Sequence, residues 1–429
     1  MTAPHREIIM LLNKERAYAV MDKYGLDGLV AKEAINVYYL TDYWDLFSSG
    51  GWSFNSYAVL PRDENAPAGL VINAAINAER LSEVTPTWVP NVVMFSDYSG
   101  RNTAESGVDP ETGEPEPAEW NGWPVREGAT LTPLEQTWAD RSRDHAPNMA
   151  ATPAWGLRRI LKDAGLENAK VGTDDPRIIG WMNNMGMPGI SAVEATNIFR
   201  EIRMVKTDAE MELMRKAAVI NEAGVEAALG AVHDGAHWAD IERAYFIEVS
   251  KRDGKGRYIV TTLGGLPHGK VVPGESLFLD ALAEYDHYLG DIGRTLIVGE
   301  PSEELVRRAK AIETGWEAAL EMIRPGITRS TLMEKTIGVI QKSGFPEYFY
   351  VSPHSLGLEH TDNPLPLGDD VYAGGEFDFA LEENMVINID MPYFELGWGT
   401  LHLEDTIRVT KTGFEALTSN ESRLRIIDA

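Results

Sequence analysis

The sequence predicts an α/β domain followed by an α+β domain. In the first 199 residues, short apolar segments alternate with amphipathic helical segments, a pattern typical of α/β folds. From residue 200 onward, long amphipathic helices precede strand-like apolar runs, which favours an α+β arrangement. At 429 residues, with 44% hydrophobic and 24% charged side chains, the composition is that of a globular protein of about two to three domains.

The predicted N-terminal α/β domain spans residues 1–199. Residues 5–25 have the apolar spacing of a helix, and LVAKEAINVYYLTDYW then indicates a strand and a short helix. The segments SYAVLPRD and AGLVINAAINAERL continue this alternation. Further along, WGLRRILKDAG predicts a helix, AKVGTD a strand and PRIIGWMNNMG another helix.

Residues 99–153 interrupt this pattern. The segment is rich in Gly, Pro and Glu, which predicts a long loop insertion rather than a helix or strand. It also contains Trp120, Trp123 and Trp138. Because disordered linkers are poor in aromatic residues, we expect an ordered loop that packs on another surface.

The second predicted domain spans residues 200–429. Thr207 is a suitable N-cap, and Glu210 three residues later completes a capping box. Amphipathic periodicity predicts helices over residues 208–230, 237–253, 303–323 and 329–343.

Charge and cysteine content exclude several classes of function. A net charge of −27 argues against binding nucleic acid or an anionic membrane surface. With no cysteine, the chain has no disulfide, zinc finger, iron–sulfur cluster or cysteine nucleophile, so a metal site must use His, Asp and Glu. The N-terminus lacks an apolar signal segment and no run approaches a membrane span, so we expect a cytoplasmic protein without a membrane partner.

Two pairs of acidic residues stand in strand-like sequence. Asp280 ends one apolar run and Asp291 begins the next, with YLGD between them as the expected turn of a hairpin. Asp390 and Glu404 form a similar pair in ENMVINIDMPYFELGWGTLHLEDTIRVT. Taken alone, each pair is also compatible with a surface hairpin whose carboxylates are solvated.

Two histidines flank a glycine in VSPHSLGLEHTDNP. His354 and His360 lie on either side of Gly357, a residue that permits close backbone approach to a site. Either histidine alone is compatible with a structural role. Four carboxylates that converge repel one another unless cations neutralise them, so the acids and one histidine together predict a site for two divalent ions.

This order of residues resembles the pita-bread metallohydrolases: methionine aminopeptidase, aminopeptidase P, prolidase and creatinase. The family's ligand order, Asp, Asp, His, Glu and Glu, corresponds here to Asp280, Asp291, His354, Asp390 and Glu404. The resemblance implies catalytic roles for His268, in GGLPHG, for His360 and for Glu404. The segment EIRMVKTDAE resembles the start of the catalytic domain in the creatinase and prolidase branch, so the resemblance implies a creatinase-like domain over 1–199 and a pita-bread catalytic domain over 200–429.

Three positions differ from, or distinguish, members of this family. Asp390 stands where the family has glutamate, so its carboxylate reaches one methylene less. His402 stands where prolidase-like enzymes have an arginine, and we expect it to contact substrate. Dimethylsulfoniopropionate lyases, which use the same scaffold for elimination, have an aspartate at the position of His360.

The resemblance implies a metal-dependent hydrolase of a C–N bond, similar to Xaa-Pro peptidases but with a non-standard substrate. The implied cofactors are two divalent ions of Mn, Fe, Co or Zn, and the implied partners are a small molecule or short peptide and a second subunit in a homodimer. Trp44 and Trp52 either pack in the core or form part of a substrate-binding lid. A lyase, a creatinase-like amidinohydrolase with weak or no metal, and a binding module remain alternatives.

Overall fold

The structure is a computed structural model with two compact units, Met1–Ile202 and Arg203–Ala429. It describes residues 10–50, 56–74, 77, 81, 87–96, 107–117, 124–261, 269–366, 378–419 and 424–428. The sequence placed the domain boundary between residues 199 and 200. No helix in the described part of the chain is long and apolar enough to cross a membrane.

The first unit is built on a mixed sheet with helices packed against it. Its helices are α1 (Lys14–Tyr24), α2 (Ala34–Thr41), α3 (Pro133–His145), α4 (Pro153–Asp163), α5 (Ile178–Asn184) and α6 (Thr196–Arg203). Its strands are β1 (Gly28–Ala31), β2 (Tyr57–Pro61), β3 (Gly69–Asn73), β4 (Asn91–Phe95), β5 (Met149–Ala150), β6 (Lys170–Thr173) and β7 (Ser191–Glu194). The sheet order is β5-β4-β3-β2-β1-β6-β7.

The core of this unit lies between the sheet and α4. Leu157 and Ile160 of α4 pack with Val71 of β3 and Val171 of β6, and all four side chains are buried. The helical period of α4 therefore places its apolar stripe on the sheet, as the sequence pattern predicted.

The segment 99–153 is not a continuous loop. It contains α3 and β5, which the composition of the insertion concealed. Helix α3 begins at Pro133, where a capping box between Thr132 and Glu135 satisfies backbone groups of the first turn. Of its tryptophans, Trp138 is partly exposed on α3, whereas residues 118–123 lie outside the described residues.

The second unit contains two helix pairs and a largely antiparallel sheet. The helices are α7 (Asp208–Leu229), α8 (Trp238–Lys251), α9 (Glu303–Met322) and α10 (Arg329–Lys342), which confirms the predicted ranges to within two residues. The strands are β8 (Lys255–Val260), β9 (Ser276–Tyr285), β10 (Tyr288–Val298), β11 (Ser352–Ser355), β12 (Val386–Glu395), β13 (Gly399–Val409), β14 (Phe414–Ala416) and β15 (Leu424–Ile427). The predicted capping box between Thr207 and Glu210 is present at the start of α7.

Both helix pairs cover the same face of this sheet, whose order is β11-β12-β13-β10-β9-β8. Helices α7 and α8 pack on β9 and β10 through side chains such as Ile220, Tyr245 and Leu279. Helices α9 and α10 pack on β12 and β13, with Trp316 and Ile389 in the shared core. Because side chains alternate along a strand, the residues between these apolar ones project from the opposite face. The prediction of an α/β domain followed by an α+β domain is confirmed.

Candidate metal centre

The strand register brings the four predicted acids to one face of the second sheet. Asp280 on β9 lies opposite Gly293 on β10, and Asp291, two residues before Gly293, is its diagonal neighbour. On the other side, Gly293 lies opposite Glu404 of β13, and Glu404 lies opposite Asp390 of β12. Four strands therefore deliver four carboxylates around a glycine.

The first hairpin differs from the prediction in the place of its turn. Asp286 and His287 form the turn with positive φ values of 49° and 73°, and residues 288–291 are already part of β10. Asp280 accordingly lies in the middle of β9 rather than at its end. The acids meet because strands longer than predicted place them side by side.

His354 and His360 lie beside one of these carboxylates. His354 is on β11 opposite Asn388, and its ring centroid is 4.8 Å from that of His360. The His360 Nε2 atom is 3.1 Å from Asp291 Oδ2, and the His354 Nε2 atom is 3.7 Å from Glu404 Oε1. One potential ligand atom from each of Asp291, His354 and His360 falls within 4.8 Å of the others.

A second group consists of Asp280, His402 and Glu404, whose potential ligand atoms also lie within 4.8 Å of one another. The His402 Nε2 atom is 2.8 Å from Asp390 Oδ1 and 3.4 Å from Glu404 Oε2. Its Nδ1 atom is 3.1 Å from the carbonyl oxygen of Leu279. His402 thus lies among the carboxylates, and the sequence did not predict this position for it.

Several buried atoms at this centre that could bind a metal ion have no hydrogen-bond partner among the described residues. They are Asp280 Oδ1, Asp291 Oδ1 and His354 Nε2. Buried polar atoms are nearly always paired, so convergent unpaired oxygen and nitrogen atoms fit divalent cations. A donor set of carboxylates and imidazoles suits Mn, Fe, Co or Zn.

Burial and mutual repulsion shift the pKa values of the carboxyl groups. Burial raises the pKa of Asp280 to about 7; His402 opposes this rise, and Asp291 and Asp390 add to it. Burial also raises the pKa of Glu404 well above its usual range, and the charges of the other acids add to the effect. Without cations, this centre therefore retains protons at neutral pH.

The three histidines respond differently to their surroundings. Burial lowers the pKa of His354, which favours the neutral ring that can bind a metal. The hydrogen bond to Asp291 raises the pKa of His360. Burial is the largest single influence and lowers the pKa of His402, but the hydrogen bond to Asp390 and the charges of Asp390 and Asp280 together raise it above its ordinary value.

Asn388 is a site residue that sequence reasoning missed. Its Nδ2 atom donates to Glu404 Oε1 at 2.7 Å, and its Oδ1 atom accepts from Thr406 Oγ1 at 3.3 Å. Asn388 therefore fixes the orientation of the Glu404 carboxylate. The alternation of MVINID places Asn388 on the same face as Asp390, a signal that could have identified it.

The remaining predicted site residues lie outside the described residues or in the first unit. His268 and Trp52 lie outside the described residues. Trp44 belongs to the first unit, where it is half-buried and makes an edge contact with Tyr38 at 5.7 Å between ring centroids. A substrate-binding role for Trp44 stays a prediction.

Sequence comparison identifies relatives of the second unit. Residues 212–411 match the family model of metallopeptidase family M24. An Xaa-Pro dipeptidase from Pyrococcus horikoshii is 29% identical over 240 residues. The match covers 53% of this chain and 66% of the archaeal protein, slightly less than two thirds of the relative's length.

Solved structures resemble the fold over nearly the whole chain. The prolidase from Pyrococcus horikoshii OT3 has a TM-score of 0.64 at 21% identity, covering 95% of this chain and 98% of the prolidase chain. The Xaa-Pro dipeptidase from Bacillus anthracis has a TM-score of 0.67 at 18% identity, covering 96% and 99%. Residues 212–411 therefore match metallopeptidase family M24, and the likeness to the solved prolidases shows that the chain shares their two-domain fold.

Proposed function

We propose that the protein is a metal-dependent hydrolase that cleaves a C–N bond in a short peptide or small amide. The observation that carries this proposal is the convergence of Asp280, Asp291 and His354, whose buried donor atoms lack hydrogen-bond partners among the described residues. The relatives named as Xaa-Pro dipeptidases support a peptide-like substrate.

The side chains support two ion positions that share carboxylates. One is bounded by Asp291 and His354, with Glu404 Oε1 3.7 Å from His354 Nε2. The other is bounded by Asp280, Asp390 and Glu404 on neighbouring strands. When bound, divalent ions supply Lewis-acid polarisation of a carbonyl oxygen and lower the pKa of a water molecule.

Glu404 is the best candidate for proton transfer. Its carboxyl is buried and is held in one orientation by Asn388, so it can transfer a proton at a fixed position. In hydrolysis the C–N bond breaks, the water oxygen joins the carbonyl carbon and the leaving nitrogen takes a proton. The Asp390 carboxylate projects from the same face of the sheet, and Asp390 is the alternative residue for proton transfer.

His360 is proposed to orient the substrate and to stabilise negative charge on the carbonyl oxygen. Its side chain is 45% exposed while its Nε2 atom faces Asp291, so it lies at the open side of the centre. His268 is assigned the same kind of role from the family resemblance alone. A lid formed by Trp44 and Trp52 of a second subunit, a homodimer and a cytoplasmic location complete this proposal.

The proposed substrate is a neutral or cationic amide rather than a free Xaa-Pro dipeptide. Prolidase-like enzymes have an arginine at the position of His402, and an arginine can bind a carboxylate with two parallel hydrogen bonds. An imidazole cannot form these two parallel hydrogen bonds. The net charge of −27 also disfavours an anionic substrate at long range.

Metal analysis and a substrate panel test this proposal together. Purified protein is loaded with Mn²⁺ or Co²⁺ and given an Xaa-Pro dipeptide, its C-terminal amide, a longer Xaa-Pro peptide, creatine and dimethylsulfoniopropionate. We expect about two ions per chain and faster cleavage of the amidated dipeptide than of the free one. Asp291→Ala and His354→Ala should lose metal and activity while keeping the circular dichroism of the wild type.

Efficient cleavage of the free dipeptide without gain from amidation would contradict the substrate proposal. Full metal content in both variants would contradict the site assignment. Turnover of creatine without bound metal, or elimination from dimethylsulfoniopropionate, would replace the proposed reaction.

A further inference from the structure

We propose that His402 is a metal ligand, so that the second ion position has a mixed donor set of Asp280, His402 and Glu404 rather than carboxylates alone. This inference rests on the metal binding in the proposed function, but on neither its substrate nor its reaction. It replaces the substrate-contact role predicted for His402 from the sequence.

The orientation of the imidazole supports this role. The carbonyl oxygen of Leu279 can only accept, so the contact at 3.1 Å places a proton on His402 Nδ1. Without an ion, Nε2 also carries a proton, which it donates to Asp390; an ion that displaces this proton would meet an Nε2 lone pair directed at the carboxylates. Metal-binding histidines typically donate their second ring nitrogen to a carbonyl or carboxylate in this way.

The spacing of the donor atoms matches a coordination shell. His402 Nε2 is 2.8 Å from Asp390 Oδ1 and 3.4 Å from Glu404 Oε2. Two donors on one ion, each bonded at about 2.1 Å, lie roughly 3 Å apart. Asp280 Oδ1, a further member of this group, is buried without a hydrogen-bond partner among the described residues.

The fold holds the ring rigidly in a space made for it. A Cβ atom at Gly293 would lie 2.6 Å from His402 Nε2 and closer still to two other ring atoms, so the ring occupies the place of a side chain. The Phe278 ring is stacked on the same imidazole, with 4.2 Å between ring centroids and an interplanar angle of 2°. His402 is only 2% exposed, which leaves little surface for a substrate.

The two departures from the family pattern are in contact with each other. Asp390 is shorter than the family's glutamate, and His402 stands in place of an arginine; here their side chains meet at 2.8 Å. The imidazole nitrogen can thus supply the bond that the shortened Asp390 cannot make. If the imidazole of His402 replaces a carboxylate of residue 390 as a metal ligand, this one exchange explains both differences.

Proton NMR of the Co²⁺-loaded protein tests this inference without measuring turnover. A histidine that binds paramagnetic Co²⁺ through Nε2 gives a strongly shifted, exchangeable Nδ1–H signal. We expect such signals from His354 and His402 in the wild type. The variant His402→Asn should lose one of them and bind one of its two Co²⁺ ions at least tenfold more weakly in a calorimetric titration.

Matched variants separate the outcomes. His354→Ala should lose the other signal, and His233→Asn, a change at an exposed histidine of the same unit, should lose none. If His402→Asn fails to fold, selective ¹⁵N labelling of histidine in the wild type still counts the shifted signals.

Retention of every shifted signal and of both Co²⁺ affinities in His402→Asn would overturn the inference. So would a single Co²⁺ per chain whose signals do not change in this variant, because the imidazole would then pair with Asp390 in place of an ion. If the wild type binds no Co²⁺ at all, the proposed function itself is refuted.

Discussion

Replacing Gly293 by alanine should displace the His402 ring and destabilise the metal-free protein. The added Cβ atom would lie 2.6 Å from His402 Nε2, whereas carbon and nitrogen atoms in contact are about 3.5 Å apart or more. The ring must therefore move by roughly 1 Å, away from Leu279 and Asp390. Overpacking costs about 1–3 kcal/mol and each of the two lost hydrogen bonds about 1 kcal/mol, so we expect a loss of about 3–5 kcal/mol.

Denaturant unfolding followed by circular dichroism measures this loss, and a double-mutant cycle identifies its cause. If the His402 ring is what the new methyl group meets, then His402→Ala should relieve most of the cost of Gly293→Ala. Gly338 provides a matched control, because a Cβ atom there, on α10, would meet nothing within 4 Å. Gly338→Ala should stabilise the protein by about 0.5–1 kcal/mol.

An unchanged unfolding midpoint in Gly293→Ala would refute the reasoning. So would a cost that stays the same in the His402→Ala background, because the steric contact would then lie elsewhere.

Two further predictions concern buried charges of the second unit. Burial raises the pKa of Glu210 to about 7, above its ordinary value of 4.5, so the folded state binds the proton more tightly and its stability falls by about 3 kcal/mol as the pH rises from about 4.5 to 7. Glu210→Gln should remove this fall in urea titrations from pH 4 to 8, and parallel pH curves would contradict the assignment. Asp362→Ala leaves the buried Arg203 and Lys206 without this carboxylate and should cost about 3–5 kcal/mol in the same assay. As a control at the surface, Glu248→Ala should leave the free energy of unfolding unchanged. An equally small change in Asp362→Ala would show that the buried ion pairs do not stabilise the protein.

Local sequence signals predicted most elements of the second unit. The capping box at Thr207 and the helical period were enough to place α7, and the alternation of apolar residues was enough to pair β12 with β13. Helix α3 was missed because the Gly- and Pro-rich stretch before it dominates the composition of residues 99–153. Its own signal, Thr132 and Glu135 around a proline, is only four residues long.

The candidate site was predicted less completely, because it depends on contacts between distant strands. The order of acids and histidines identified the carboxylates, but not which of them would be neighbours. That depends on the pairing of β10 with β13, which places Gly293 opposite Glu404. The same pairing opens the space for His402, and no local pattern indicates it. Register between strands about 110 residues apart is set by packing of the whole sheet.

Cleavage in oxygen-18-enriched water tests the central claim most directly. The protein is loaded with Mn²⁺ or Co²⁺, incubated with the amidated Xaa-Pro dipeptide, and its products are examined by mass spectrometry beside those of Asp291→Ala. Metal-dependent hydrolysis predicts one heavy oxygen in the new carboxylate, and no labelled product from Asp291→Ala. An unlabelled product, or equal labelling by wild type and Asp291→Ala after metal removal, would contradict the account.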